Sequence, residues 1–282
     1  MLFTTNRVVK GEPHWHSYFL CGVLGVLDMI HDDDAIDGPE NTTKKAKHDT
    51  VPELRGMNCF VSGNVPPSAG LSSSSALVCA AAIAFAHTNA TFTASMLSLE
   101  RHRTALAEMC ARCERYIGTE GGGMDQAIVL LATQGRAKLI EFNPLVTRDV
   151  TLPPDATFVV ANSLVKANKA ATSTFNHRVM ECRLAAKVLA VTHNIDPSTI
   201  LKLIDIQRAL NQSIEEIIVT TKATFHEEAY SVNEVASLLH LSLHELESTI
   251  LSPHSKVGSP HATATFYLRQ RALHVFQGSL NT

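Results

Sequence analysis

No apolar run in the 282-residue chain reaches membrane-crossing length. The longest, 76–86, has eleven residues, against the roughly 18 to 20 that a bilayer span needs. The opening segment, MLFTTNRVVKGEPHWH, lacks an apolar core behind its basic residues and does not read as a secretory leader, so a cytoplasmic address without membrane attachment is expected. Cysteine is too sparse for a disulfide scaffold: six residues (Cys21, Cys59, Cys79, Cys110, Cys113, Cys182), mostly among apolar neighbours, predict reduced buried thiols. The Asn-x-Ser/Thr triplets at Asn41, Asn89 and Asn211 are then chance matches. Positive charge is not in surplus either, with 24 Lys and Arg against 27 Asp and Glu. That balance supplies no general attraction for nucleic acid or anionic lipid. The sequence also lacks a Gly-x-Gly-x-x-Gly turn and a Gly-Lys-Ser/Thr phosphate loop, which removes the common dinucleotide and Walker patterns.

What is present is globular: 45% hydrophobic and 18% charged residues, in a length that suits about two domains of roughly 150 residues each. Glycine divides the chain unevenly, since twelve of fourteen lie at or before Gly135. Helical spacing is read over 15–30, 73–87, 105–117, 174–192 and 198–209, and in the stretch 232–250; strands are read over 57–65, 137–142 and 157–161. The acidic stretch 31–53 reads as an exposed loop. Counted from Asp32, its fifth and twelfth positions are Ile36 and Thr43, where a calcium loop requires oxygen ligands, so calcium is not expected. Pro144, Pro153 and Pro154 mark the expected boundary between domains 1–150 and 151–282.

Two segments could carry chemistry. Gly70, Leu71, Ser72, Ser73, Ser74 and Ser75 follow Pro66-Pro67-Ser68-Ala69 and open an apolar helix. Small residues let backbone approach an anion, and the first amides of a helix lack intrahelical partners. The plain alternative is a serine-capped core helix. The second segment, Cys113-Glu-Arg-Tyr-Ile-Gly-Thr-Glu-Gly-Gly-Gly-Met-Asp-Gln126, places Gly121, Gly122 and Gly123 ahead of Asp125, clearing space in which a carboxylate meets a ligand. Glu114, eleven residues earlier, could return to the same cleft. Here the alternative is a glycine turn with solvated acids. Cys110 and Cys113 at helical spacing read as core rather than zinc ligands, His14 and His16 as packing or surface, and Arg178, Glu181 and Arg183 as charges on a helix face.

Taken together, 63–78, 113–126, Asn168-Lys-Ala-Ala-Thr172 and 178–187 resemble the GHMP small-molecule kinases. Within them the wording is similar to galactokinase-like sugar kinases, and nearest to the N-acetylgalactosamine kinase subgroup. The resemblance runs from Trp15 to Phe276, with the acidic loop as an insertion. It implies an α/β (α+β) two-domain fold, with a ribosomal-protein-S5-like, ATP-binding N-terminal part and an incomplete, helix-rich C-terminal part. It also implies ATP and Mg2+ as cofactors, a small-molecule sugar (N-acetylgalactosamine or galactose) as partner, phosphorylation at the anomeric hydroxyl, and a monomer.

Carried onto this sequence, the resemblance gives 70–75 the ATP phosphates, Ser74 and Glu114 the magnesium, and Asp125 the sugar hydroxyl. Gly122 and Phe175 would contact the sugar, Phe175 standing where galactokinases carry a tyrosine. Two family motifs have no counterpart: an N-terminal Gly-Arg-x-Asn stretch bearing an arginine, and a glycine-rich loop near the C-terminus. Segments at both ends also pair into the family's sheets, so unpaired strand edges are expected. The alternative to an active kinase is an impaired fragment or a sugar or nucleotide sensor.

Overall fold

The computed structural model describes residues 14–31, 54–89, 94–119, 121–142, 144–161, 164, 173–251 and 265–280. The acidic loop and the segment 168–172 lie outside them. The chain divides into two compact units, Met1–Ala171 and Thr172–Thr282.

In the first unit, α1 (Trp15–His31) packs on α2 (Ser73–Thr88) and α4 (Glu100–Cys113), with the short α3 (Ala94–Leu97) between the last two and α5 (Met124–Leu131) after them. The packing is possible because α1 carries two glycines on one face. A Cβ at Gly22 would collide with the Val78 carbonyl and sit 2.9 Å from the Ala82 amide nitrogen. One at Gly25 would run into Met109 Sδ and lie 3.0 Å from Cys113 Cβ. Around this crossing Val26, Val78, Cys79, Ala82, Leu106 and Cys110 are fully buried, each larger side chain contributing roughly 1.5–3 kcal/mol. Beyond α5, β1 (Ala137–Glu141) and β2 (Val146–Val150) form an antiparallel hairpin in which Ala137 faces Val150 and Glu141 faces Val146. Lys138 Nζ meets Asp149 Oδ1 at 2.7 Å across it.

Two expected strands are not formed. Residues 57–65 run without regular structure, with Phe60 95% exposed, and so do 157–161, with Val159 88% exposed. Strand propensity is realised only against a partner and a buried face, and no described strand pairs with either segment. The first is held at its start, where Met57 packs against the core and Arg55 lies just before it. There the Asn89 side chain accepts from the Arg55 amide at 2.7 Å and donates to the Arg55 carbonyl at 3.4 Å, as a neighbouring strand would.

The second unit is built on α6 (Ser173–Thr192), whose Leu184, Ala185, Val188 and Leu189 are buried. Against or beside it lie α7 (Leu203–Ala209), α8 (Ile214–Thr224), α9 (Val232–Leu238), α10 (Leu243–Thr249) and α11 (Leu268–Leu280). The two-residue strands β3 (Tyr230–Ser231) and β4 (Thr265–Phe266) pair antiparallel. The helices expected over 198–209 and 232–250 are each interrupted: the first is a 3-10 turn, Pro197–Thr199, followed by α7, and the second breaks at His240, whose φ is +55°.

The reading of Glu181 as a helix-face charge is also corrected. Its side chain is fully buried, accepting from Arg178 Nη1 at 2.7 and 2.8 Å, the Tyr267 amide at 2.9 Å and Arg271 Nε at 3.3 Å. Of these four donor contacts, the two from the Tyr267 amide and Arg271 join α6 to the start of α11.

Candidate active site

The turn into α2 is held in an uncommon conformation. Ser68, Gly70 and Ser72 have φ of +57°, +74° and +56°. A non-glycine residue there costs about 1 kcal/mol or more, and such strain gathers at ligand sites. Ser72 is the N-cap, yet its side chain makes no capping bond. The serine-capped core helix is therefore not what forms. Among the described residues the first α2 amides therefore receive no side-chain cap from Ser72, at the end where the helix dipole favours an anion. Gly70 and Leu71 are exposed, and Ser72, Ser73 and Ser74 half-buried.

Ser75 turns inward and is 2% exposed. Its Oγ donates to Glu114 Oε1 at 3.1 Å and accepts from Gln126 Nε2 at 3.1 Å. Glu114 opens the 3-10 turn Glu114–Ile117 that ends α4, and is 3% exposed. Its charge is felt by α1: burial first and Glu114 second push the Cys21 thiol up to about 12, and the same two causes raise the Tyr18 phenol. The return of Glu114 to the serine loop agrees with the sequence reading, but the serine it meets is Ser75 and not Ser74. Solvated acids in a plain glycine turn do not describe Glu114.

Past the turn, Gly118 (φ +85°) reverses the chain and Gly123 (φ +88°) caps α5, placing Asp125, half-buried, in its first turn. Gly121 approaches Glu114, since a Cβ there would lie 3.7 Å from Oε2, whereas one at Gly122 would meet nothing within 4 Å. The Thr119 hydroxyl is buried without a hydrogen-bond partner among the described residues. Tyr116 donates to Asp28 of α1. Three segments distant in sequence thus meet at Ser75, Glu114 and Gln126. Sequence reasoning assigned no part to Gln126, Thr119 or Tyr116, although all three lie inside the motif it singled out. Phe175 lies in the first turn of α6, with its side chain outside the described residues.

The donor set suits magnesium rather than a transition metal. It offers one buried carboxylate and a hydroxyl, both hard oxygens, beside an uncapped helix end where phosphate oxygens could complete the shell. Among the described residues no group of three or more His, Cys, Asp or Glu is gathered as a metal site. Cys110 and Cys113 are buried in the core, and His14 and His16 stack on one another at 5.5 Å, exposed at the start of α1. No described helix is long and apolar enough to cross a membrane.

Residues 40–133 match the family described as GHMP kinases N terminal domain. The chain thus carries a GHMP kinase N-terminal domain with the serine loop and the glycine turn inside it, and among its homologues are galactokinases. It is 41% identical to the galactokinase of Dictyostelium discoideum over 267 residues, 93% of this chain and 47% of that protein. With the galactokinase of Candida albicans the identity is 32% (96% of this chain, 53% of that one), and with that of Saccharomyces cerevisiae 29% (94% and 53%). The chain spans about half the length of these curated relatives.

Proposed function

We propose that the chain is an ATP-dependent sugar 1-kinase that phosphorylates the anomeric hydroxyl of galactose. The observation that carries this reading is the buried Ser75–Glu114 contact beneath the uncapped start of α2, with Asp125 presented from the next helix. The galactokinases among its relatives supply the sugar.

In this reading the amides of 70–75 hold the ATP phosphates, and Ser75 and Glu114 hold Mg2+, with Ser74 beside them on the phosphate side. When bound, Mg2+ neutralises charge on the phosphates during transfer. Asp125 accepts the proton of the C1 hydroxyl as that oxygen bonds to the γ-phosphorus, while the bond to the bridging oxygen breaks and ADP leaves. The oriented carboxylate and the fixed amides do the positioning on which phosphoryl transfer depends.

N-acetylgalactosamine is the finer reading. The space around Gly122 would admit an acetamido group, and Phe175, by the family resemblance, removes a hydroxyl from the sugar pocket. ADP release with Mg-ATP and each sugar, with Asp125→Asn as control, tests both. Turnover is expected with galactose and reduced by about 10²- to 10⁴-fold in the variant. No ADP release would point to an impaired fragment or a nucleotide or sugar sensor, and sugar-independent release to ATP hydrolysis without transfer to a sugar.

A further inference from the structure

Gln126 is buried, 2% exposed, directly after the proposed catalytic carboxylate, and its amide is spent on Ser75 rather than on a ligand. A serine hydroxyl has one proton and two lone pairs. The Ser75 proton goes to Glu114 Oε1, so the Gln126 contact is satisfied only if Gln126 donates. The flipped amide would present two acceptors to one proton, so a single arrangement meets both bonds. Of the two lone pairs on Ser75 Oγ, one is taken by Gln126 and one is left. We propose that Gln126 is a positioning residue that fixes the Ser75 hydroxyl, and through it the Glu114 carboxylate, in the one orientation that offers both oxygens to a divalent cation.

This rests on the assignment of Ser75 and Glu114 to Mg2+ above. Removing the amide donor frees the hydroxyl to rotate, which weakens the cation without touching the sugar. Groups that orient metal ligands in this way are worth about 10- to 100-fold in metal affinity.

The test uses the full chain and Mn2+ as the probe, with a non-hydrolysable ATP analogue present, followed by water-proton relaxation. Gln126→Met keeps length and removes the donor; Gln126→Glu keeps shape and sets two acceptors against one serine proton. The expected result is a Mn2+ dissociation constant raised about tenfold or more in both variants, with Tm close to the parent. Any turnover lost in Gln126→Met should be restored by raising Mg2+, with the galactose KM unchanged, which a merely structural role would not produce. Parent-like Mn2+ binding in a folded variant overturns the proposal, as does a parent that binds no Mn2+. A parent that binds Mn2+ but phosphorylates no sugar would sink the kinase reading and leave this one standing.

Discussion

Two buried carboxylates, one in each unit, show what a charge needs in order to leave water. Glu181 is met by two guanidinium groups and a backbone amide, and Glu114 by a serine hydroxyl, itself hydrogen-bonded to Gln126. A carboxylate so fully satisfied as Glu181 is structural: Glu181→Leu leaves Arg178, Arg271 and the Tyr267 amide without their acceptor. The arginines are partly exposed and recover some hydration, so the loss is set at about 2 to 3 kcal/mol, read as a lower midpoint in urea denaturation. Glu114 meets the Ser75 hydroxyl at the start of α2, as suits a group proposed to take a cation. Glu114→Gln is expected to leave the fold intact and to lower the apparent affinity for Mg-ATP about tenfold or more, measured by isothermal titration. An unchanged affinity would remove Glu114 from the site.

Helices were the legible elements wherever apolar periodicity and end signals coincide. The serine loop, the Ala-rich α2 and the glycine turn before α5 were readable because their residue types answer to backbone geometry alone. The Ser75–Gln126 contact was not, since two polar residues 51 apart meet only after packing. In α8 the β-branched run Ile-Ile-Val-Thr-Thr hides the helix, although the box formed by Ser213 and Glu216 announces its start, and Ser242 with Glu245 marks the restart missed inside 232–250. The strands read over 57–65 and 157–161 failed for the opposite reason: their composition is right, but their ladder is absent among the described residues.

The same elements fix two outcomes. Gly22→Leu forces α1 off α2 and costs about 3 kcal/mol or more by overpacking, visible as a fall in Tm. In the native protein iodoacetamide should modify exposed Cys59 ahead of Cys21, Cys79, Cys110 and Cys113, which react only on unfolding because they are buried. Rapid native labelling of all five would contradict the packing of α1, α2 and α4.

At the scale of the molecule, each unit has its own core, Val26, Val78 and Leu106 in one and Leu184, Leu189 and Ile217 in the other. The groups that titrate abnormally limit stability on two sides. Asp149 is held low by its bond to Lys138, Asp196 by bonds from Ser198 and Glu245 by bonds from Ser242. A lowered carboxyl stabilises above its unfolded value, and that share is lost as pH falls through the folded one. Cys21 is raised by burial from 9.0 to about 12 and Cys182, also by burial, to about 11. Their share is complete below the unfolded value and lost as pH climbs through the folded one. Melting temperature should therefore hold between about pH 5 and 8, fall gently in acid because the carboxylates are exposed, and fall more steeply above about pH 9.

The proposed function requires the serine loop, Glu114 and Asp125 of this chain to transfer a phosphoryl group to a sugar. Phosphorus NMR of the chain with Mg-ATP and galactose tests it most directly. Conversion of ATP to ADP is expected, with a new phosphomonoester signal coupled to the anomeric proton, lost together in Asp125→Asn. ATP left intact, or cleaved to free phosphate alone, would contradict it.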